Sequence, residues 1–556
     1  MIKDRLRNAL QRVLADAIAA GELIETERPA IELLDPPDPS FGDFSTNLAM
    51  MLAKGQKRPP REVAQALSAR LAGADDAIER VEVAGPGFIN FHLSPAWLDD
   101  VVRAVHAEGD RWGGGDGGGE KVLIEFVSAN PVGPLTVAQG RAAAIGDTLA
   151  RLLEMRGYQV YREYYVNDAT SSTQVHKLAV SLDARYCQAL GQDKPVPEDG
   201  YSGEYLAQMA REIIERDGDR YLGMAEEARL AAFAAIAEQS FVADHRRMLE
   251  AFGVTFDNWF RESSLYEKSQ VQQAIDLLRQ RGYAYEADGA LWLRSTAFGD
   301  DKDRVLVRSS GKPTYIAADT AYHRNKFDRG FARLIDIWGP DHHGYVARTR
   351  AAVAAIGYPA DHLDIIIHQL VRLFRGGEMV RMSKRAGDII TLEEVIEQVG
   401  ADAARYFFLM RSADSPLDFD LDLAVQETPE NPVYYVQYGH ARICSILRNA
   451  EERGVKLPDP QRANLSLLRE PDELTLMRKL AAFPEEVAAA TRLYEPHRMT
   501  RYASELAATF HGFYTNCRVL GDDPELTAAR LTLVGAALIT LANVLRLLGV
   551  SAPEKM

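Results

Sequence analysis

The sequence predicts an α/β protein built around a doubly wound parallel sheet, with a small α/β module before it and an all-α bundle after it. Three observations indicate this fold class. From Glu120 to about Leu370, short apolar runs alternate with helical patterns, as in parallel strands joined by helices. An alternating tract, Val81 to Leu93, follows two helical segments in the first part of the chain. Beyond about Asn431 the pattern is helical to the end.

The clearest unit of the predicted sheet starts at Val122. Residues 122–127 are an apolar run that suits a buried parallel strand, and residues 128–135 form a turn-rich connector. A helical pattern follows and ends at Gly157, where a second strand can begin. Strand, loop, helix and strand form a βαβ unit, and a nucleotide binds naturally where such a strand meets a helix N-terminus. An ordinary βαβ unit with a tight loop is the alternative.

Changes in composition and pattern divide the 556-residue chain, which is too long for one hydrophobic core. The predicted segments are an N-terminal module (1–112), a flexible glycine-rich linker (113–119), the α/β domain (120–370) with a helical insertion (about 171–274), a segment with a basic loop (371–430) and a helical domain (431–556). Residues 531–550 approach membrane length, but polar residues cluster on one side, which favours a buried bundle helix.

Composition limits the class of protein. The net charge of −16, from 80 acidic and 64 basic residues, argues against a surface that is basic throughout. It suits a cationic substrate and still allows a local basic track for RNA. Cys187, Cys444 and Cys517 are far apart, so buried thiols in a reducing cytosol are expected, and neither a disulfide framework nor a zinc site. The first 23 residues contain acids and lack an apolar core, which indicates an amphipathic helix instead of a targeting peptide.

Several words of the sequence resemble one known family. They are FGDFSTNLAM, EFVSANPVGPL, REYYVNDA, GDDKDRVLVR, TYIAADTAYH, IWGPDHHGY, RMSKRAGD, GADAARYFFLMRS and LDFDLDLA, which together extend along the whole chain. They are similar to bacterial arginyl-tRNA synthetase, a class I aminoacyl-tRNA synthetase.

The resemblance implies a Rossmann-type catalytic domain and a reaction in two steps. ATP, with Mg²⁺, and arginine give arginyl-adenylate and pyrophosphate, and the arginyl group then passes to the terminal adenosine of tRNA(Arg). Members of the family usually need bound tRNA before they activate arginine. The resemblance further implies a cytoplasmic monomer without a membrane segment or a structural metal ion.

The first family signature, normally His-x-Gly-His, here reads TVAQ at residues 136–139. We expect the Thr136 hydroxyl and the Gln139 amide to donate neutral hydrogen bonds to the phosphates of ATP, in place of charged imidazoles. Losing one such charged donor can raise the activation free energy of the chemical step by about 3 kcal/mol. The other ATP-binding residues implied by the resemblance are Pro131, Gly133, Pro134, Leu135, Val137, Ala138, Gly140, Asp341, His342 and Met382.

The second signature, normally Lys-Met-Ser-Lys, reads RMSK at residues 381–384. We expect Lys384 and Ser383 to stabilise the leaving pyrophosphate, since catalysis of such a displacement is mainly positioning and charge stabilisation. Arg381 keeps the positive charge and can form two hydrogen bonds to phosphate oxygens. A solvated basic surface loop is the alternative for this segment taken alone.

Arginine recognition requires carboxylates for the guanidinium group. We expect Glu125 to face the site from the end of the central strand. Tyr315 and Asp319, one helical turn apart, match positions that bind the substrate side chain in the family. Asn130 matches a position near the α-amino and carboxyl groups, and Ser128 belongs to the same predicted site. Taken singly, an acid at a strand end is more often a surface ion-pair partner.

For RNA, the resemblance assigns the first module to the tRNA elbow and the C-terminal helices to the anticodon. The implied contacts are Phe88, Asn90, Tyr435, Tyr438, Arg442, Phe510 and Arg518. Exposed aromatic rings stack on unpaired bases in RNA-binding sites. Packing inside the module or between the helices is the open alternative for these aromatic residues.

A rival hypothesis is a synthetase-like paralogue that binds tRNA or arginine without forming adenylate. The altered residues Thr136 and Gln139 favour it, whereas Ser383, Lys384 and Asp319 argue against it. The main hypothesis requires that the loop after residue 126 and the basic loop face each other across one cleft, with residues 125 and 319 at its floor.

Replacement of Lys384 tests the second signature. Lys384→Ala is expected to depress adenylate formation far more than arginine affinity, because the ammonium group acts on the leaving pyrophosphate. Arginine-dependent ATP–pyrophosphate exchange measures the first quantity and direct arginine binding the second. Equal losses in both would contradict the assigned role.

Overall fold

The computed structural model describes residues 2–36, 38–168, 173–380 and 390–556. The chain forms two compact units. The first comprises residues 1–109, 447–481 and 509–539, and the second comprises residues 110–446, 482–508 and 540–556.

The first 109 residues contain a small antiparallel sheet and four helices. They are α1 (Ile2–Ala19), β1 (Phe44–Thr46), α2 (Leu48–Gln56), α3 (Pro60–Leu71), β2 (Ile78–Ala84), β3 (Phe88–Leu93) and α4 (Ala96–Glu108). The strand order is β1-β3-β2. Leu6, Leu10 and Val13 recur at helical spacing on α1 and are buried, as are Ile89 and Phe91 of the middle strand. The predicted α/β module is therefore present.

Residues 110–370 form a parallel five-stranded sheet with helices and a second, antiparallel sheet. The elements are β4 (Lys121–Ala129), α5 (Val137–Met155), β5 (Gln159–Val166), α6 (Thr173–Ala189), α7 (Glu204–Asp217), α8 (Glu226–Ala251), β6 (Asn258–Arg261), α9 (Ser263–Glu267), α10 (Gln270–Gln280), β7 (Ala284–Ala287), β8 (Ala290–Leu293), β9 (Arg304–Val307), α11 (Tyr315–Asp328), β10 (Arg333–Trp338), α12 (Val346–Ile356) and β11 (Leu363–Ile367).

The five-stranded sheet has the order β11-β10-β4-β5-β6, and all its neighbouring strands are parallel. Strand β4 is central and buried along most of its length, which explains its continuous apolar run. The helix and strand that follow it, α5 and β5, complete the predicted βαβ unit. Gly157 has a φ of 88° between them, as expected for a left-handed helix end. The doubly wound class is confirmed.

Two details differ from the sequence prediction. The insertion was placed at about 171–274, but its helices end at Ala251 and the edge strand β6 of the main sheet follows. A strand of four residues is too short to be recognised from the alternation of its apolar and polar residues. Strand β9 belongs to a separate antiparallel sheet of order β7-β8-β9, not to the parallel series.

The predicted glycine linker is closely packed. The carbonyl of Gly114 accepts a hydrogen bond from the Arg156 guanidinium (2.7 Å), and the N–H of Gly115 donates to the Met155 carbonyl (3.3 Å). A Cβ atom on Gly115 would overlap the Arg156 side chain. At this position glycine permits a close backbone approach, which is a different use from flexibility.

The remaining elements are mainly helical. They are β12 (Val371–Arg375), β13 (Glu378–Met379), α13 (Leu392–Val399), α14 (Ala401–Phe408), β14 (Leu417–Asp420), α15 (Leu421–Ala424), α16 (Pro432–Glu452), α17 (Pro471–Leu493), α18 (His497–Asn516) and α19 (Pro524–Leu548). Among the described residues, α19 alone is long and apolar enough to cross a membrane, and 72% of its most apolar window is buried within the protein. The predicted buried bundle helix is confirmed.

A buried ionic cluster joins four helices of the second unit. The Asp147 carboxylate on α5 accepts hydrogen bonds from Arg405 on α14 (2.5 Å) and from Arg151 (2.8 Å). Arg405 also donates to the carbonyls of Phe252 and Leu548, at the C-terminal ends of α8 and α19. A cation at the C-terminal end of a helix interacts favourably with the helix dipole. The Asp147 carboxylate therefore binds two arginines that cap two helices.

Replacement of Asp147 tests this cluster. Asp147→Asn leaves the buried Arg405 guanidinium without its counter-ion and is expected to remove about 3 kcal/mol of stabilisation from the second unit. Calorimetry should show a lower unfolding midpoint. The control is Glu204→Gln, which removes an exposed ion pair with Arg211 and should leave the midpoint nearly unchanged. Equal midpoints for the two variants would contradict a stabilising role for the cluster.

Candidate active site

The central strand carries a β-bulge near its carboxyl end. The pairing of β4 with β5 shifts register between Glu125 and Ser128, and Val127 has a φ of 62°. A β-branched residue in this region is strained by about 1–3 kcal/mol, and such strain collects at functional sites. The extra residue redirects the strand end, so that Ser128 is exposed whereas Glu125 stays buried.

Thr136 and Gln139 cap the first turn of α5. The side-chain oxygen of Gln139 accepts a hydrogen bond from the Thr136 backbone N–H (2.9 Å) and another from the Thr136 hydroxyl. This arrangement belongs to a capping box, which stabilises a helix start. The Thr136 hydroxyl is thus occupied inside the cap. Among the described residues, no acceptor is bonded to the Gln139 amide nitrogen, which can still donate to a ligand.

The other residues predicted on this loop and helix divide by exposure. Pro134 is exposed, and Gly133 and Ala138 are partly exposed. The rest are buried: Pro131, Leu135, Val137 and Gly140. Gly140 has a packing reason to be glycine, because a Cβ atom there would lie 2.5 Å from Leu392. We call residues 130–135 the first loop.

Residues 381–389 lie outside the described residues, and with them the predicted Arg381, Met382, Ser383 and Lys384. The residues that follow this basic segment in the chain contact the first signature and the residue before it. The Leu392 N–H donates to the Leu135 carbonyl (2.8 Å), and Thr391 forms a β-bridge with Thr136. Thr391 and Leu392 therefore lie directly beside the start of α5.

Glu125 lies in a buried network of charges. It faces Asp336 on the adjacent strand β10, and the Lys326 ammonium bridges the two carboxylates at 2.5 and 2.8 Å. The two ring nitrogens of His323 lie 2.9 Å from an Asp336 carboxylate oxygen and 2.8 Å from the Asp319 carbonyl oxygen. Lys326 holds the pKa of Asp336 below its ordinary value even though burial opposes this. We predicted Glu125 as an open acceptor for arginine, but it is 4% exposed and already paired.

Two other carboxylates at this edge lack a cationic partner. Glu262, directly after β6, is 3% exposed, and Asp319 lies on α11. Among the described residues, no Lys, Arg or His nitrogen lies within 4 Å of either carboxylate. Burial, with the nearby charges of Asp319 and Asp168, raises the pKa of Glu262 to about 7. Burial also raises the pKa of Asp319.

Tyrosines surround this carboxylate pair. The Tyr165 hydroxyl opposes the rise in the pKa of Glu262. Burial and the charges of Glu262 and Asp319 raise the pKa of Tyr266 to about 12, and Tyr315 adds to this effect. Tyr315 is 68% exposed at the start of α11, one turn before Asp319. Tyr315 and Asp319 therefore both lie near Tyr266, as does Glu262, and their role in binding arginine stays a prediction.

Asp341 and His342 lie in the turn that follows β10, the strand next to β4. Both side chains are exposed, and they form an ion-pair contact of 3.5 Å. Asn130, at the start of the first loop, donates to the Gln174 side-chain oxygen on α6. Polar groups thus stand at the carboxyl ends of neighbouring strands, where ligands bind in open α/β sheets.

The residues predicted to contact RNA differ in exposure. Phe88 is partly exposed, whereas Asn90 is 4% exposed inside the small sheet, so its side chain is a core group and not a surface contact. On α16, the Arg442 guanidinium donates to the Tyr438 hydroxyl (2.6 Å) and lies over its ring. Tyr435 is partly exposed on the same helix.

The remaining two predicted RNA contacts are on or just after α18. Phe510 is fully buried, which is the packing alternative that the sequence left open. Arg518 is exposed, and its Nε donates to the Leu520 carbonyl (3.1 Å).

Three family models match the chain. The model described as "Arginyl tRNA synthetase N terminal domain" matches residues 1–93. The model described as "tRNA synthetases class I (R), catalytic domain" matches residues 103–410, and the "DALR anticodon binding domain" matches residues 436–556. The chain belongs to the arginyl-tRNA synthetase family. The predicted family and the predicted Rossmann-type fold class are confirmed.

Relatives agree over the whole length. A protein of Moorella thermoacetica named arginine–tRNA ligase is 53% identical over 555 residues, with 100% of this chain and 99% of the relative covered. One of Heliobacterium modesticaldum with the same name is 50% identical over 560 residues, with the same coverage. The solved arginyl-tRNA synthetase of Thermus thermophilus is 25% identical, with a TM-score of 0.77 over 99% of this chain and 100% of that one.

The sequence alone did not reveal two residues of the candidate site. Glu262 lies within the stretch that was assigned to the helical insertion, and Lys326 is 201 positions from its partner Glu125. An acid directly after the short aromatic run Trp259-Phe260 was the one available signal for Glu262. Within the described parts of the chain, no cluster of three or more His, Cys, Asp or Glu could hold a metal ion.

Proposed function

We propose that this chain attaches arginine to its cognate tRNA. Arginine and ATP, which brings Mg²⁺ with it, form arginyl-adenylate and pyrophosphate, and the arginyl group then passes to the terminal adenosine of tRNA(Arg). The observation that carries the proposal is the carboxylate pair Glu262 and Asp319, without a cation among the described residues, in a member of this family. Full-length relatives named arginine–tRNA ligase support the reaction.

The pair selects arginine by charge and shape. A guanidinium group is always charged and presents five donors in a plane, so it can bond both carboxylates at once. A lysine ammonium is a compact point charge and lacks this planar match. A neutral amino acid would leave Glu262 and Asp319 buried and unpaired, and polar sites built in this way discriminate by about 10⁴–10⁵.

The residues that act in adenylate formation are assigned from their positions in the fold and in the family signatures. The N-terminus of α5 presents backbone N–H groups and a positive dipole end to phosphate, and the Gln139 amide adds a side-chain donor. Asp341 and His342 contact the ribose side, as in the family resemblance. The basic loop, with Lys384 and its neighbours, stabilises the pyrophosphate as it leaves.

The chain outside the catalytic core binds RNA in this proposal. Residues 1–112 contact the tRNA elbow through Phe88, and residues 431–556 contact the anticodon. Tyr438 and Arg442 are the most plausible contacts on α16, because their stacked pair is partly exposed. We further propose a cytoplasmic monomer that needs bound tRNA before it activates arginine.

One experiment separates this proposal from a paralogue that binds without activating. Arginine-dependent ATP–pyrophosphate exchange is measured with and without tRNA(Arg). The proposal predicts exchange that tRNA stimulates strongly. The absence of exchange under both conditions, together with measurable tRNA binding, would leave the binding protein as the better hypothesis.

Replacement of the two unpaired carboxylates tests the arginine pocket. Glu262→Gln and Asp319→Asn keep the side-chain volumes but remove the charge, and each should raise the KM for arginine by about 100-fold, since a charged hydrogen bond contributes about 1.5–3 kcal/mol. The KM for ATP should not change. The control is Glu267→Gln, an exposed acid on α9. An unchanged KM for arginine in either pocket variant would remove that residue from the pocket.

A further inference from the structure

The first loop is held from outside by the helical insertion. Asn130 is hydrogen-bonded to Gln174 on α6, and Val132 packs against the hydrophobic core that α6, α7 and α8 share. The Gly133 carbonyl accepts a hydrogen bond from His245 on α8 (2.8 Å). The helices of the insertion therefore hold three residues of this loop, Asn130, Val132 and Gly133.

Among the residues that hold the first loop, His245 has hydrogen bonds at both of its ring nitrogens, which fix the orientation of the ring. Its Nε2 donates to Gly133, so its Nδ1 is the acceptor, and the Tyr164 hydroxyl on β5 donates to it (2.8 Å). The ring is 2% exposed, and burial lowers its pKa, which keeps it neutral and in this one tautomer. Tyr164 is itself fixed by a stacked contact with Trp259 at 4.1 Å. The imidazole is thus a rigid link between the sheet and the first loop.

The carbonyl that His245 binds lies shortly before the start of α5 in the chain. Pro134 follows Gly133, so the next residue has a fixed φ and no N–H to anchor it. One residue later, the Leu135 carbonyl accepts from Leu392, beyond the basic loop. The segment between these two anchors leads directly into the capped N-terminus of α5. Without the His245 bond, the Gly133 carbonyl loses this hydrogen bond, and the loop keeps only the contacts of Asn130, Val132 and Leu135 described above.

We propose that His245 is a positioning residue for adenylate formation, because it fixes the first loop through Gly133 and so aligns the start of α5 with the phosphates of ATP. The inference rests on the proposed function. His245 belongs to neither signature, and it acts through the backbone without touching a substrate. Its loss should affect the chemical step and the use of ATP, and leave the arginine pocket at Glu262 unchanged.

Three variants test this role. His245→Leu removes both hydrogen bonds, whereas His245→Gln offers an amide donor for Gly133 and an oxygen acceptor for Tyr164. Phe233→Leu is the matched control, since it weakens the core of the same insertion at a ring that contacts Tyr186 and Tyr221 and leaves both hydrogen bonds of His245 in place. For each variant, ATP–pyrophosphate exchange is measured with tRNA present, as kcat and as the KM for each substrate, and the unfolding midpoint is recorded.

His245→Leu should lower kcat for exchange about tenfold, the effect of losing one positioned hydrogen bond, with an unchanged KM for arginine. His245→Gln should restore most of the activity, and Phe233→Leu should lose stability without this loss of kcat. If His245→Leu does not fold, His245→Asn replaces it, because its amide is too short to bridge both partners.

The inference is overturned if kcat follows the unfolding midpoint in the same way for His245→Leu and Phe233→Leu. It is also overturned if the KM for arginine rises as much as kcat falls. A wild-type protein without exchange would contradict the proposed function, whereas an active wild type with an unaffected His245→Leu variant would contradict this inference alone.

Discussion

The balance of charge at the carboxyl edge of the central sheet governs the rest of the site. Four carboxylates stand there, on Glu125, Asp336, Glu262 and Asp319. The Lys326 ammonium lies between the first two and pairs with both. The other two have no cationic partner among the described residues. Buried carboxylates in this state either take up a proton or wait for a cationic ligand. The fold therefore contains a charge deficit at two carboxylates, and one guanidinium group can bond both of them.

The part of the site that is proposed to bind ATP contains few charged side chains. Thr136 and Gln139 bond each other and start α5. The helix N-terminus and the loop before it then supply donors from the backbone, which cannot be removed by substitution. This arrangement makes the exact placement of the first loop more important, and the insertion supplies that placement through Asn130, Val132 and His245.

Local patterns predicted the parts of the fold that local physics determines. The apolar run of β4 and the glycine that ends the following helix were both visible in the sequence, because each depends on neighbours within a few residues. The doubly wound class followed from the order of such elements, and the family resemblance implied the Rossmann-type domain. The domain boundaries and the roles of the site residues stay predictions.

Long-range partners could not be predicted in this way. Lys326 lies on a helix whose pattern shows only that its face is buried, and nothing local indicates that it neutralises Glu125. Glu262 follows a strand too short to recognise, inside a mainly helical stretch. The glycines near residue 115 have the composition of a flexible linker, yet Arg156 packs against them. In each case the decisive contact joins segments far apart in the chain.

The number of protons released when arginine binds tests the charge deficit most directly. Calorimetric titrations at pH 6.5, in buffers of different ionisation enthalpy, report this number. The pKa of Glu262 is about 7 in the empty site, so a fraction of the molecules must lose a proton before the guanidinium can pair with it. The account predicts proton release at pH 6.5, less release at pH 8, and a smaller release in Glu262→Gln than in the wild type at pH 6.5, because Asp319 keeps a raised pKa in that variant. Arginine binding without proton release at pH 6.5 would contradict it.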